Sequence, residues 1–357
     1  MPVSATFRSK IKIYILGTRN KTVIKLRSFG HIIFHNLLII SLFATVFTAC
    51  EKDRKTSGLP VIYGAELFST GSDAVTVKAT LKYNEGMNIK SAGALLGLLP
   101  EPADENSFVM GNISDSILFV RIENLTPGTK YYLRFIIECH ELDVYSDDIE
   151  FTTLNTVSDT EGNRYNTVSL GSKVWMKENL RSRVYSNGAA IPYISSEWSF
   201  LTTAAYTWYD FDESNGQTYG ALYNWPAVES GSLCPAGWHV STGADWNSLT
   251  AYLGGEHVAG ALLKKETGYW EQNSTGARDY SGFSALPGGS SGIMLGSFSG
   301  KGLNALWWES IVDYTYNSEQ GMLLFRAAFS DRPDLDRNGF LTKGGSLNFL
   351  SVRCVKD

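Results

Sequence analysis

Two hydrophobic patterns divide the chain. From residue 57 to 154 apolar and polar positions alternate in short runs, at Ala74–Lys82, Ile117–Ile122, Tyr131–Glu138 and Asp148–Thr153. A period of two marks strands with one buried face. Turn residues separate the runs, as in Tyr83-Asn84-Glu85-Gly86 and Pro127-Gly128. Regularly spaced short strands of this kind predict a β-sandwich.

From residue 155 to 357 the pattern is mixed. Glu161-Gly162-Asn163 reads as a hairpin turn, and Val168–Leu170 and Lys173–Met176 as strands on either side of Gly171-Ser172. The stretch Leu233–Gly255 reads as a strand end, a turn at Pro235 and Gly237, and a helix. Thr242 is its N-cap, with Asp245 three residues on to complete a capping pair. Trp246, Leu249 and Leu253 fall on one helical face, and Gly254-Gly255 stop the helix. A second helical piece is expected over His257–Lys265, with Val258, Ala261 and Leu262 facing inward. Residues 181–219 read mostly as loop. Gly321–Phe329 and Phe340–Lys343 read as paired strands. The chain is therefore expected to be multidomain, a β-sandwich followed by an α+β domain.

Residues 1–50 differ from both. They hold seven of the chain's 31 Lys/Arg and none of its 36 Asp/Glu, followed by the apolar run Ile32–Ala49 and then Phe47-Thr48-Ala49-Cys50. This resembles a bacterial lipoprotein signal peptide. It implies lipidation at Cys50, a linker over 51–56, and an outer-membrane lipoprotein of the cell envelope exposed at the cell surface. The competing reading of the run is a single transmembrane anchor. The residues after 50 carry a net charge of −12, which argues against nucleic acid as a partner.

The segment NLTPGTKYYLRFIIE…YSDDIEFTT resembles a fibronectin type III domain, with Leu125, Pro127, Tyr131 or Tyr132, Phe151 and Thr152 at the matching positions. The usual Trp of the first sheet is missing. Farther on, GSKVWMKENLRS, YGALYNWPAV, CPAGWHVSTGADWNSLTAYLGG, SGFSALPGG, WWES and SVRCVKD occur in the same order as in the Fibrobacter succinogenes major paralogous domain. That family is common in lipoproteins of the Bacteroidetes and Fibrobacteres and is similar to the C-type lectin-like fold. The resemblance covers Thr156–Asp357. It places a structural disulfide at Cys234 and Cys354, and Cys139 is left as a lone strand-end thiol. The calcium-binding triplets of sugar-binding C-type lectins are absent, which removes that site from what the resemblance implies.

Candidate chemistry concentrates in the C-terminal half, where all nine Trp lie between Trp175 and Trp308. Trp198, Trp208 and Tyr209 stand beside Asp210 and Asp212. Rings that stack on sugar faces beside carboxylates that accept from hydroxyls suit a glycan, though the same mixture also packs loops onto a core. Asp334, Asp336 and Asn338, with Gly339, spell the first half of a calcium loop, but the twelfth position is Gly345 instead of Glu. The other reading of this stretch is a hairpin tip. Glu178, Asn179 and Glu309 are read as core or lone polar groups. No Ser-His-Asp or HExxH arrangement can be drawn with His239 and His257, the two His of this half. The expected function is a non-catalytic, lipid-anchored protein presenting a lectin-like head to a glycan or protein. The alternative is a structural or tip subunit of a surface assembly. A hydrolase or other enzyme is the least favoured reading.

Overall fold

The computed structural model describes residues 59–357 apart from 84–86, 88, 141, 197–200, 267, 272–276, 293–296, 314, 316–320 and 342–347, together with the backbone of 15–18 and 21–24. Ile15–Thr18 (β1) and Lys21–Ile24 (β2) pair antiparallel. Cys50 lies outside the described residues.

The first sandwich is built from β3 (Val61–Gly71), β4 (Ala74–Lys82), β5 (Ile89–Gly97), β6 (Phe108–Met110), β7 (Asn112–Ser114), β8 (Ile117–Glu123), β9 (Lys130–Cys139), β10 (Val144–Tyr145) and β11 (Ile149–Thr152). One layer runs β3-β4-β8-β7 and the other β10-β9-β5-β6, with β11 also on β9. Alternation along β8 turns Leu118, Val120 and Ile122 inward, against Val75 and Val77 of β4 and Phe135 and Ile137 of β9. Cys139 ends β9 as a free thiol, and burial raises its pKa.

The second half begins with the hairpin β12 (Val157–Ser158) and β13 (Arg164–Tyr165), followed by β14 (Thr167–Leu170) and β15 (Lys173–Met176). The turn between β14 and β15 holds Gly171 at φ 61°, a conformation glycine adopts without strain. Five further strands follow in β16 (Tyr206–Thr207), β17 (Leu222–Asn224), β18 (Trp238–Val240), β19 (Gly288–Ser291) and β20 (Phe298–Lys301). The last five are β21 (Asn304–Asp313), β22 (Met322–Phe329), β23 (Leu335–Leu341), β24 (Phe349–Ser351) and β25 (Cys354–Lys356). A sheet ordered β16-β17-β24-β19-β21-β22-β23, with β20 beside β19, forms one wall. Helices α1 (Glu213–Tyr219), α2 (Trp225–Glu229), α3 (Gly243–Tyr252) and α4 (Glu256–Leu263) complete this half. Residues 181–219 are thus not all loop, because Asp212 caps a helix there. The inward face of α4 is Ala259, Gly260 and Leu263, while Val258 is exposed. Gly260 sets that phase: a Cβ on it would lie 2.1 Å from the Asp334 carbonyl, so the helix approaches β23 along its glycine.

Helix α3 starts as its sequence dictates. The Thr242 hydroxyl accepts from the Asp245 N–H, and the Thr242 N–H donates to Asp245 Oδ2 at 2.9 Å. Trp246 and Leu249 are buried against Trp175, Phe283 and Trp307. Burial alone raises the Asp245 pKa. Hydrogen bonds from the Thr242 hydroxyl and N–H, from His239 and from Lys173 outweigh it and hold the carboxyl at about 2. Cys234 and Cys354 form a disulfide with Cα atoms 6.0 Å apart, closing a separation of 120 residues.

The two halves share a sheet. Strand β14 pairs with β3, with Val168 opposite Gly71 and Ser169 opposite Thr70. The result is one eight-stranded sheet, β18-β25-β15-β14-β3-β4-β8-β7. Main-chain bonds continue the junction, from Ser72 N–H to the Thr167 carbonyl and from Leu154 N–H to the Gly71 carbonyl. Phe68 of β3 and Phe119 of β8 pack against the second half. Phe119 stacks on Tyr280 with centroids 4.6 Å apart, and Phe68 stacks on Tyr252 at 5.7 Å. Lys177 Nζ bonds both Asp73 oxygens at 2.7 and 2.8 Å. Arg121 lies 3.6 Å from the buried Asp279 carboxylate.

Three outcomes follow. Reduction of the Cys234–Cys354 bond removes a loop-closure constraint of about 4–5 kcal/mol on the entropic model, so reductant should lower the melting temperature of the protein by many degrees; identical melting with and without reductant would contradict it. Asp245 has a depressed folded pKa, so its stabilisation is present above the ordinary carboxylate range and lost as pH falls through about 2. Asp245→Asn should therefore cost about 2 kcal/mol near neutrality and flatten the loss of stability between pH 4 and 2 in urea titrations. Because the halves share a sheet, calorimetry should show one cooperative transition, and Phe119→Asp should split it into two.

Candidate ligand-binding site

Of the aromatic side chains expected to bind sugar, Trp208 and Tyr209 are packed into the core. Trp208 is 4% exposed and Tyr209 8%. Helix α1 lies across the Trp208 ring at Gly216, where a Cβ would sit 2.2 Å from it. Tyr209 packs against Phe298, with Lys301 Nζ 5.0 Å from its ring. Asp210 is exposed at φ 55°, 3.8 Å from Lys301 Nζ. Asp212 spends its carboxylate capping α1, accepting from Ser214 N–H and Oγ at 2.8 Å each. Trp198 lies outside the described residues. The rings of Trp208 and Tyr209 therefore have no open face for a sugar.

The calcium-loop reading of Asp334, Asp336 and Asn338 is overturned by backbone geometry. Asp336 and Asn338 lie within β23, paired opposite Ala327 and Phe325, and Asp334 directly precedes it. Alternate residues of a strand stand about 6.6–6.8 Å apart, so three of them cannot close on one ion at 2.3–2.6 Å. The hairpin tip lies earlier, between β22 and β23. Asp336 accepts from Arg332 at 2.6 Å, and Asp334 bonds His257 at 3.0 Å.

The polar residues of the Trp-Met-Lys-Glu-Asn-Leu run form a hub in the core. Asn179 Oδ1 accepts from Trp307 Nε1 at 2.8 Å and Arg353 Nε at 3.1 Å, while its Nδ2 donates to the Tyr219 carbonyl and Ser351 Oγ. Glu178 accepts from the Asn166 N–H and side-chain amide. Glu309 is fully buried between Arg326 at 2.8 Å and Arg337 at 3.0 Å, so its charge is compensated within the fold. His239 is held between Asp357 at 2.7 Å and Asp245 at 3.0 Å.

Two recesses flank the segment that follows α4. The larger is an open groove lined by Trp270, Glu271, Leu303, Asn304, Phe329 and Asp331. Trp270 is fixed from two directions: Nε1 donates to the Ala285 carbonyl at 3.0 Å, and Lys264 Nζ lies 5.5 Å from its ring. Lys264 is fully buried, donates to the Phe329 and Arg332 carbonyls, and has its pKa lowered to about 8 by burial. Asn304 Oδ1 is buried with no hydrogen-bond partner. A half-exposed indole of fixed orientation beside carboxylates and an amide is the chemistry sought earlier at Trp208 and Tyr209, displaced to the other side of the domain's sequence. Residues 268–280 are polar and glycine-rich in sequence, a pattern that does not single out Trp270. The legible signal was the indole itself, an isolated Trp in a polar segment.

The smaller recess is a cleft of about 100 Å³ lined by Lys177, Glu178, Asn179, Thr218, Lys265 and Arg353, among others. Tyr269, whose ring lies under Lys265 Nζ at 5.0 Å and edge-on to Tyr219, stands between cleft and groove.

No curated protein matches the chain. Residues 168–356, more than half of it, match the family model of the Fibrobacter succinogenes major domain. That match spans β14 to β25, the disulfide, the Asn179 hub and both recesses, and the chain belongs to this family.

Proposed function

We propose that this is a non-catalytic, lipid-anchored protein of the cell envelope, surface-exposed on the outer membrane, whose C-terminal domain binds a glycan in the Trp270 groove. The observation that carries the reading is the indole of Trp270, held in one orientation by Ala285 and Lys264 and open to a groove with polar walls. Its orientation is set before any ligand arrives, which lowers the ordering cost of binding. The Glu271 and Asp331 carboxylates and the Asn304 amide supply groups that can face hydroxyls.

Further features support the parts of this reading. The Tyr131 hydroxyl accepts from the Thr126 N–H at 3.1 Å while its ring stacks on Phe151, the corner expected of a fibronectin type III-like sandwich. A disulfide from the turn before β18 to the last strand, with α3 between two sheets, agrees with a C-type lectin-like head. Both cysteines of the C-terminal half are consumed in that bond, which takes their thiols out of nucleophilic chemistry and fits a compartment beyond the cytoplasm. The shared sheet makes sandwich and head one stiff unit on the Cys50 anchor.

The test is a glycan array probed with the detergent-solubilised full chain, with calcium and with chelator. Binding should survive chelator and fall at least tenfold in Trp270→Ala, the loss of about 1.4 kcal/mol or more. Undiminished binding by Trp270→Ala would overturn the assignment of the groove. Absence of glycan binding, together with a protein captured from the cell surface in fixed stoichiometry, would move the reading to assembly.

A further inference from the structure

The cleft beside Arg353 contains a buried charge that has no ion-pair partner among the described residues. Arg353 is 1% exposed. Its Nε bonds Asn179 Oδ1, and its Nη1 bonds the carbonyls of Met176, Lys177 and Phe283. These partners are neutral dipoles. Its guanidinium also lies 4.1 Å from the Phe283 ring and 5.8 Å from that of Trp307, and among the described residues no carboxylate stands within ion-pair distance. Burial drives the guanidinium pKa down to about 9, while Glu178 and Asp279 act on it only from longer range. The other buried arginine of this half, Arg326, is by contrast paired directly with Glu309 and Glu256. A desolvated cation without a counter-charge is costly, and an anion that enters its cavity relieves that cost.

Lys177 and Lys265 also line the cleft. Lys177 is neutralised by Asp73, and Glu178 contributes the one carboxylate of the lining. The Glu178 oxygens are engaged by Asn166, which fixes them. With Arg353, Lys177 and Lys265 set against Asp73 and Glu178, one positive charge remains. Thr218 adds an exposed hydroxyl, while that of Ser284 is committed to Asp279 at 2.7 Å. A volume of about 100 Å³ holds roughly three waters. That space suits a carboxylate, sulfate or phosphate group and is too small for a chain of sugar rings.

We propose that this cleft is an anion-binding subsite, with Arg353 and Lys265 recognising a single carboxylate-, sulfate- or phosphate-sized group. The subsite does not depend on the Trp270 groove. Its occupant is either a free inorganic anion or the acidic substituent of a larger ligand, such as a uronic acid.

Isothermal titration of the full chain with inorganic phosphate, with glucuronate and with glucose tests the proposal. Saturable binding of phosphate or glucuronate, but not of glucose, is expected, with the melting temperature rising as the anion saturates. Phosphate alone would indicate a free anion, and glucuronate at equal or higher affinity an acidic glycan. Lys265→Ala and Thr218→Val each leave the core intact and should weaken the anion about tenfold, while Trp270→Ala should leave it unchanged. Arg353→Lys, if it folds, should abolish it. Absence of saturable binding by either anion would overturn the proposal. So would anion binding unaffected by Lys265→Ala and Thr218→Val together.

Discussion

The C-terminal half is arranged around the passage of one segment, Phe349–Lys356, from one sheet into another. Strand β24 lies between β17 and β19, while β25 lies between β15 and β18. The residues between these strands must cross the core, where main-chain polar groups need partners. Leu180 N–H donates to the Val352 carbonyl, and Ser241 N–H to the Arg353 carbonyl. The Arg353 side chain then ties the carbonyls of Met176, Lys177 and Phe283 to Asn179, which in turn holds Trp307 and Ser351. The disulfide fixes the next residue, Cys354, to the turn before β18. Sheet closure, the polar hub and the disulfide therefore rest on consecutive residues of one strand crossing.

The aromatic side chains of Trp175, Trp246, Trp307 and Trp308 are consumed in filling the space between the sheets. The two recesses flank the segment after α4, where Lys265 lines one and Trp270 the other, and both proposed sites lie there. The same segment leads to Asp279, Tyr280 and Gly282, which seat the head against Arg121 and Phe119 of the sandwich. The proposed sites and the docking of the two halves thus draw on one stretch of sequence, beside a sheet that runs through both halves.

Local rules made much of the fold legible. Thr242, Asp245, Trp246 and Leu249 specify helix α3 by capping and periodicity alone, and the alternation in β8 specifies its inward face. The family resemblance added the cysteine pairing. What local pattern could not supply was the competition for each aromatic. Trp208 beside Asp210 reads the same whether Gly216 brings a helix across its ring or not, and only the tertiary fold shows that it does. Asp334, Asp336 and Asn338 spell a calcium loop in one dimension, yet the demand of β22 for a partner strand draws them out straight. The phase of α4 shifted for a similar reason, since the glycine that lets the helix approach β23 counts as neutral in a hydrophobic pattern. Arg353 stands in the terminal motif SVRCVKD, and nothing in its sequence neighbours announces a buried charge.

The central claim is that the Phe349–Lys356 crossing belongs to the most stable unit of the molecule. Native-state hydrogen exchange measures this directly through the amides of Leu350, Val352 and Val355. They should exchange only through global unfolding, at the same free energy as the amides of Trp175 and Tyr223 in the strands alongside. Exchange of the crossing at markedly lower free energy than those neighbours would show that the sheets hold without it, and would contradict the account.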